Sequence, residues 1–146
     1  MIRKLNIEDK DRYIAMSKEF YSSDAVLHTI PEENIYKTFD LLTTGSPYAE
    51  GYIFEYGGQI AGYALLSQTY SNEAGGLVLW IEEVYILPEY RRKGLGHEFF
   101  VFVEQRYKGM VARIRLEADK TNERAIELYR KLGFANLNYL QMYKEV

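Results

Sequence analysis

The sequence contains no cysteine, which excludes disulfide staples, zinc–thiolate centres and a cysteine nucleophile and leaves the redox compartment unmarked. Proline is scarce, at 3 in 146 residues, and no stretch rich in Pro, Gly or Ser divides the chain, so one domain over residues 1–146 is expected. No run approaches the ~18 consecutive apolar residues of a membrane-spanning helix. The first residues carry two cations but no apolar stretch behind them, so no secretory signal is read; the expectation is a cytoplasmic protein with no membrane partner. An excess of positive charge is lacking too. Lys and Arg total 18 against 21 Asp and Glu, a net charge of −3, which argues against a general nucleic-acid binder. What is present is core-forming material: 47% hydrophobic residues and 15% aromatics, with 14 tyrosines.

Periodicity changes along the chain. Ile2 to Leu5 reads as a short strand, and Asn6 caps a helix bearing Tyr13, Met16 and Phe20. A second helix starts at Pro31, carries Ile35, Phe39 and Leu42, and stops at Gly45-Ser46-Pro47. Strands follow at Tyr52 to Tyr56, Gln59 to Tyr70 and Leu77 to Leu87, joined by the Gly57-Gly58 turn and the Ser71 to Gly76 connection. After Pro88 the period is helical, with Leu95, Phe99, Phe102 and Val103 on one face and a stop at Gly109. Val111 to Ala118 alternates as a strand with Arg113 and Arg115 on its wet side. A helix capped by Asn122 bears Ala125, Leu128 and Leu132, and Phe134 to Tyr143 reads as a last strand. The order is β-α-α-β-β-β-α-β-α-β, a mixed, mostly antiparallel α/β sheet flanked by helices.

The strongest chemical signal is Arg91-Arg92-Lys93-Gly94-Leu95-Gly96-His97, between a buried strand and an amphipathic helix. A helix N-terminus offers free N–H groups and a positive dipole end, and glycines let the backbone approach an anion closely. A nucleotide P-loop needs Gly-Lys-Ser/Thr, but His97-Glu98 follows Gly96. A dinucleotide fingerprint needs a third glycine in an opening βαβ unit, and this loop comes late. A pyrophosphate of some other ligand is the remaining reading.

Arg91, Gly94 and Gly96 match the coenzyme A signature of the GNAT N-acetyltransferase superfamily, and Asn122, Ala125, Tyr129, Gly133 and Phe134 match its second motif. The chain resembles that superfamily over nearly its whole length. Ile81 to Arg91 is similar, more narrowly, to spermidine/spermine-type acetyltransferases. The resemblance implies acetyl transfer from acetyl-CoA to a primary amine by direct attack, with no metal. Main-chain groups of Val84, Tyr85 and Ile86 then hold the pantetheine arm, the loop from Arg92 to His97 takes the pyrophosphate, and Arg91 and Asn122 add cofactor contacts. It points to Glu82 as base and Tyr129 as the acid at the departing sulfur. Many members pair as dimers, and a homodimer is a possible assembly here.

Glu82 and Glu83 stand in an otherwise apolar strand, where neighbours face opposite sides, so at least one points to a covered face. Burial raises a carboxylate's pKa, as suits a base for an amine. By alternation Glu82 goes with Val84 and Ile86, and Glu83 with Ile81 and Tyr85. Pairing with Arg113 or Arg115 is the structural alternative for both. Glu82 and Glu83, with Asp24, Glu32, Glu33 and Glu73 nearby, suit a small polyamine-like or other cationic acceptor. A protein lysine or N-terminus, or a non-catalytic acyl-CoA sensor, are the competing readings. His28 and His97 lack any partner pattern and take no catalytic role.

Overall fold

A computed structural model describes residues 1–146. Strand β1 (Ile2–Lys4) leads through a turn of 3-10 helix at Ile7–Asp9 into α1 (Lys10–Tyr21) and then α2 (Glu32–Thr44). A meander follows: β2 (Ala49–Tyr56), β3 (Gln59–Ser71) and β4 (Gly76–Ile86), then α3 (Leu95–Tyr107), β5 (Arg113–Leu116) and α4 (Glu123–Lys131). The sheet order is β1-β2-β3-β4-β5, antiparallel except for β4–β5. No helix is long and apolar enough to cross a membrane.

Alternation along the strands divides the core in two. Ile53, Tyr63 and Tyr85 join Tyr13, Met16, Phe20, Ile35 and Phe39 beneath α1 and α2. Tyr52, Phe54, Ala64, Leu66, Leu79 and Ile81 meet Phe99, Phe100, Val103 and Tyr107 of α3 on the other face. The buried phenylalanines of α3 are thus Phe99 and Phe100, with Phe102 only partly covered. At the N-terminus the Arg3 guanidinium grips Asp9 at 2.8 Å through two nitrogens, while Asp9 also accepts from the Asn6 N–H at 2.9 Å. Asn6 therefore caps the turn that starts α1, and the Arg3 contact holds the Asp9 carboxyl below its ordinary range.

The expected last strand, Phe134 to Tyr143, does not form. At the end of α4 the Phe134 N–H bonds back to the Tyr129 carbonyl at 3.0 Å, and the Phe134 ring docks on Phe100 and Tyr129. A tight turn follows, with the Tyr139 N–H on the Leu137 carbonyl at 2.8 Å, and the Tyr139 hydroxyl donates to Glu73. Extended pairing is incompatible with that turn. β5 offers an edge of only four residues, and Asn136 and Asn138 weaken the strand tendency. A groove of about 1360 Å³ remains between β5, α4 and residues 134–141.

Candidate active site

β4 holds the chemistry because its pairing changes on both sides at one point. Toward β3, Leu65 pairs with Glu83 but Leu66 pairs with Ile81, so Glu82 is an extra residue. A bulge of this kind breaks the strict two-residue alternation. Ile81, Val84 and Ile86 accordingly pack on the α3 side, while Tyr85 packs on the α1–α2 side. Toward β5, pairing ends with Ile81 opposite Leu116. The next residue is Glu82.

The bulge turns both carboxylates into one cavity, of about 380 Å³, between the sheet and the α1–α2 layer. This corrects the expectation that Glu82 and Glu83 face opposite sides. Nor does either pair with an arginine. Arg113 bonds Glu73 at 2.8 Å, and Arg115 lies over the Trp80 ring at 4.2 Å. Exposed Glu82 instead accepts from the Ser67 hydroxyl at 2.5 Å. Glu83 is 7% exposed and accepts from two phenols: Tyr63 at 2.6 Å on Oε2, and Tyr21 on Oε1. Asp24, Glu32, Glu33 and Glu73 do not line the cavity. Glu32 is engaged with Lys18, and Glu33 with Lys37.

Burial, and then the neighbouring Glu82 charge, push the Glu83 carboxyl above its ordinary value, against the opposing pull of the two phenolic hydrogen bonds. A native pKa above the unfolded one means the folded chain binds more protons, so stability falls as pH rises through the folded pKa. Glu83→Gln removes the titration. Its Tm is expected to pull ahead of the wild type as pH rises from the ordinary carboxylate range towards neutrality, by roughly 2–4 °C for each kcal/mol gained. Thermal melts across that range test this; a difference in Tm that is the same at every pH speaks against an ionised, buried Glu83.

Past the fork, the Leu87 N–H bonds to the Ala61 carbonyl of the β3 side at 2.9 Å. Antiparallel alternation then directs the main chain of Tyr85 to β3 as well, and that of Val84 and Ile86 to the side without a strand partner, where the Ile86 carbonyl meets the Arg91 side chain. Close approach of the strands is possible here because Gly62 has no side chain; a Cβ there meets the Tyr85 carbonyl oxygen at 2.2 Å.

In the loop before α3, no main-chain N–H from Arg92 through His97 finds an acceptor within the chain. Arg92 (φ 61°) and Gly94 (φ 82°) are left-handed, a pattern that makes concave anion cradles. The space where a Gly94 Cβ belongs is open. Arg91 is braced within the fold, its Nε donating to the Ile86 carbonyl at 3.0 Å, and the Lys93 ammonium sits 5.2 Å from the Tyr56 ring centroid. These features fit a diphosphate.

Tyr129 packs against Phe100 of α3 at 5.7 Å and lines the larger groove together with Leu116, Glu117 and Ala118, where β5 leaves β4. Its hydroxyl makes no hydrogen bond within the chain, and burial raises its pKa. It does not share the cavity of Glu82 and Glu83. Asn122 caps α4 through the Ala125 N–H at 3.3 Å. Sequence reasoning missed Tyr21, Tyr63 and Ser67; a carboxylate in an apolar strand was the signal that donors had to exist.

The model of the Acetyltransferase (GNAT) family matches residues 13–134. The chain belongs to that family. Among curated relatives, it is 33% identical over 79 residues to a thialysine N-epsilon-acetyltransferase of Bos taurus, matching 53% of this chain and 46% of that protein. The Mus musculus protein of the same name is 32% identical over 82 residues, at 56% and 48% coverage. The chain thus spans less than half the length of the curated relatives it matches. Among solved structures, a possible acetyltransferase from Clostridium difficile 630 superposes with TM-score 0.84 at 20% identity, covering 100% of this chain and 97% of that one. Aminoglycoside acetyltransferase AAC(6')-Iy, in complex with a CoA-containing bisubstrate analogue, gives TM-score 0.81 at 16% identity, with 100% and 97% coverage. These structures share the GNAT fold.

Proposed function

We propose that this protein transfers an acetyl group from acetyl-CoA to the primary amine of a small cationic acceptor. The observation carrying the proposal is the coincidence at one place in β4 of the bulge, the end of β5 pairing and two carboxylates that open on a cavity. Acetyl-CoA supplies the activated acetyl thioester. The N–H groups from Arg92 to His97 hold its diphosphate, with the Arg91, Arg92 and Lys93 charges nearby. Val84 and Ile86 offer their main chain to the pantetheine arm as a strand edge does to a peptide, while Asn122 caps α4. A main-chain N–H of β4 polarises the thioester carbonyl.

The acceptor ammonium has a pKa of about 10.4 and must lose a proton to attack. Glu82 takes that proton, directly or through a water. A C–N bond forms, the C–S bond breaks, Tyr129 donates its phenolic proton to the departing sulfur, and the second proton released from the acceptor nitrogen restores the phenol. The raised Tyr129 pKa keeps that proton in place at neutral pH.

Incubation with acetyl-CoA and a panel of polyamines, amino sugars, amino acids and peptides, read as free thiol released, tests the reaction. Turnover of small cationic amines is expected. Turnover of peptides alone overturns the acceptor class, and coenzyme A binding without any turnover replaces the enzyme by an acyl-CoA sensor. The phosphate cradle has its own test. Gly94→Ala forces a left-handed side-chain residue, at about 1–2 kcal/mol, and is expected to weaken coenzyme A binding about tenfold. An unchanged Kd in a calorimetric titration removes the loop from the site.

A further inference from the structure

We propose that Glu83, held by the Tyr21 and Tyr63 hydroxyls, acts as a charge filter in the acceptor cavity, favouring acceptors with a second ammonium group and refusing those with a carboxylate in its place. The proposal rests on the acetyl-transfer reading and names which amines that site takes.

The cavity is lined by Glu82 and Glu83 and by no Lys, Arg or His. Two cations of the flanking helices are engaged with other acids: Lys18 with Glu32 and Lys37 with Glu33. Neither lining carboxylate has an ion-pair partner among the chain's salt bridges. Glu82 is in contact with solvent, but Glu83 is buried, and a buried carboxylate without a cation is costly.

The fold meets that cost halfway. Two phenols from separate elements, the end of α1 and the middle of β3, each donate to one oxygen of Glu83. Phenols satisfy hydrogen bonds without cancelling charge, and each carboxylate oxygen keeps acceptor capacity. A buried carboxylate with no cation of its own beside a cavity is stabilised in its charged form by an arriving ammonium, and the aromatic rings of Tyr13 and Tyr21 line the same cavity. The same uncancelled charge repels an acceptor's carboxylate, and no cation in the lining compensates it.

Matched acceptors of three, four and five carbons isolate this effect. For each length the reacting amine is constant and the far end is ammonium (an α,ω-diamine), methyl (an alkylamine) or carboxylate (an ω-amino acid). In the wild type kcat/KM is expected to fall about tenfold or more from diamine to alkylamine, the worth of one charge-assisted hydrogen bond, and again from alkylamine to amino acid. In Glu83→Gln the diamine-to-alkylamine ratio collapses towards parity and the amino acids improve relative to both. Tyr21→Phe, which keeps the carboxylate and removes one donor, moves the ratios the same way by less and serves if the Gln variant does not fold. Equal turnover of diamines and alkylamines by the wild type overturns the filter and leaves the transferase intact. Coenzyme A binding with all of these amines inert overturns the transferase reading, and the filter with it.

Discussion

Glu82→Gln is expected to lower kcat/KM at neutral pH by about two to four orders of magnitude, the range spanned by loss of a positioned base. The substitution is gentle on the fold. Glu82 is exposed, sits at a bulge where no cross-strand partner depends on it, and a glutamine carbonyl still accepts the Ser67 hydroxyl. What disappears is the ability to take a proton from the acceptor. Only the free amine then reacts, and its fraction climbs about tenfold per pH unit up to the acceptor's own pKa of about 10.4. The deficit should therefore be largest at neutral pH and shrink steadily in alkali. A pH–rate profile parallel to the wild type, displaced by a constant factor, assigns the base elsewhere. Glu83 is then the first candidate, since it shares the cavity.

Much of this site was legible in the sequence. The cradle announces itself locally, because glycines, cations and a strand-to-helix junction fall within a few consecutive residues, and the geometry that matters there is main-chain geometry. The meander was equally readable from the Gly57-Gly58 turn, which has both φ angles positive, 58° and 76°, as a two-residue hairpin requires. The carboxylate pair was half legible. That two acids interrupt an apolar strand is visible in one dimension; that they share a side is not, because the bulge depends on how β3 and β4 pair. Tyr21 was illegible for the same kind of reason. It lies 62 residues from Glu83 and is one of 14 tyrosines, so only the packing of α1 on the sheet singles it out. The last strand failed in the opposite direction. Residues 134–143 have enough apolar character to read as extended, but the Phe134 ring finds a better place on Phe100 and Tyr129, and the chain turns before β5 can pair with it.

That aromatic cluster also frames the expected result for Tyr129→Phe: a fall in kcat on the order of a hundredfold, the lower range for losing a general acid, with coenzyme A affinity nearly unchanged. The ring is retained, so the contacts at 5.7 Å to Phe100 and 6.0 Å to Phe134 persist and the wall of the groove keeps its shape. The hydroxyl bonds to no other group of the chain, so its removal leaves no donor or acceptor stranded. Stability should move little for that reason, and a structural role for the oxygen is already disfavoured. The informative comparison is between acetyl donors and the acceptor series. If Tyr129 protonates the departing sulfur, the loss appears in kcat for every acceptor alike, because the same bond breaks whichever amine attacks. A loss confined to KM for one class of amine instead makes Tyr129 a residue that touches the acceptor. An unchanged kcat leaves the sulfur to take its proton from water.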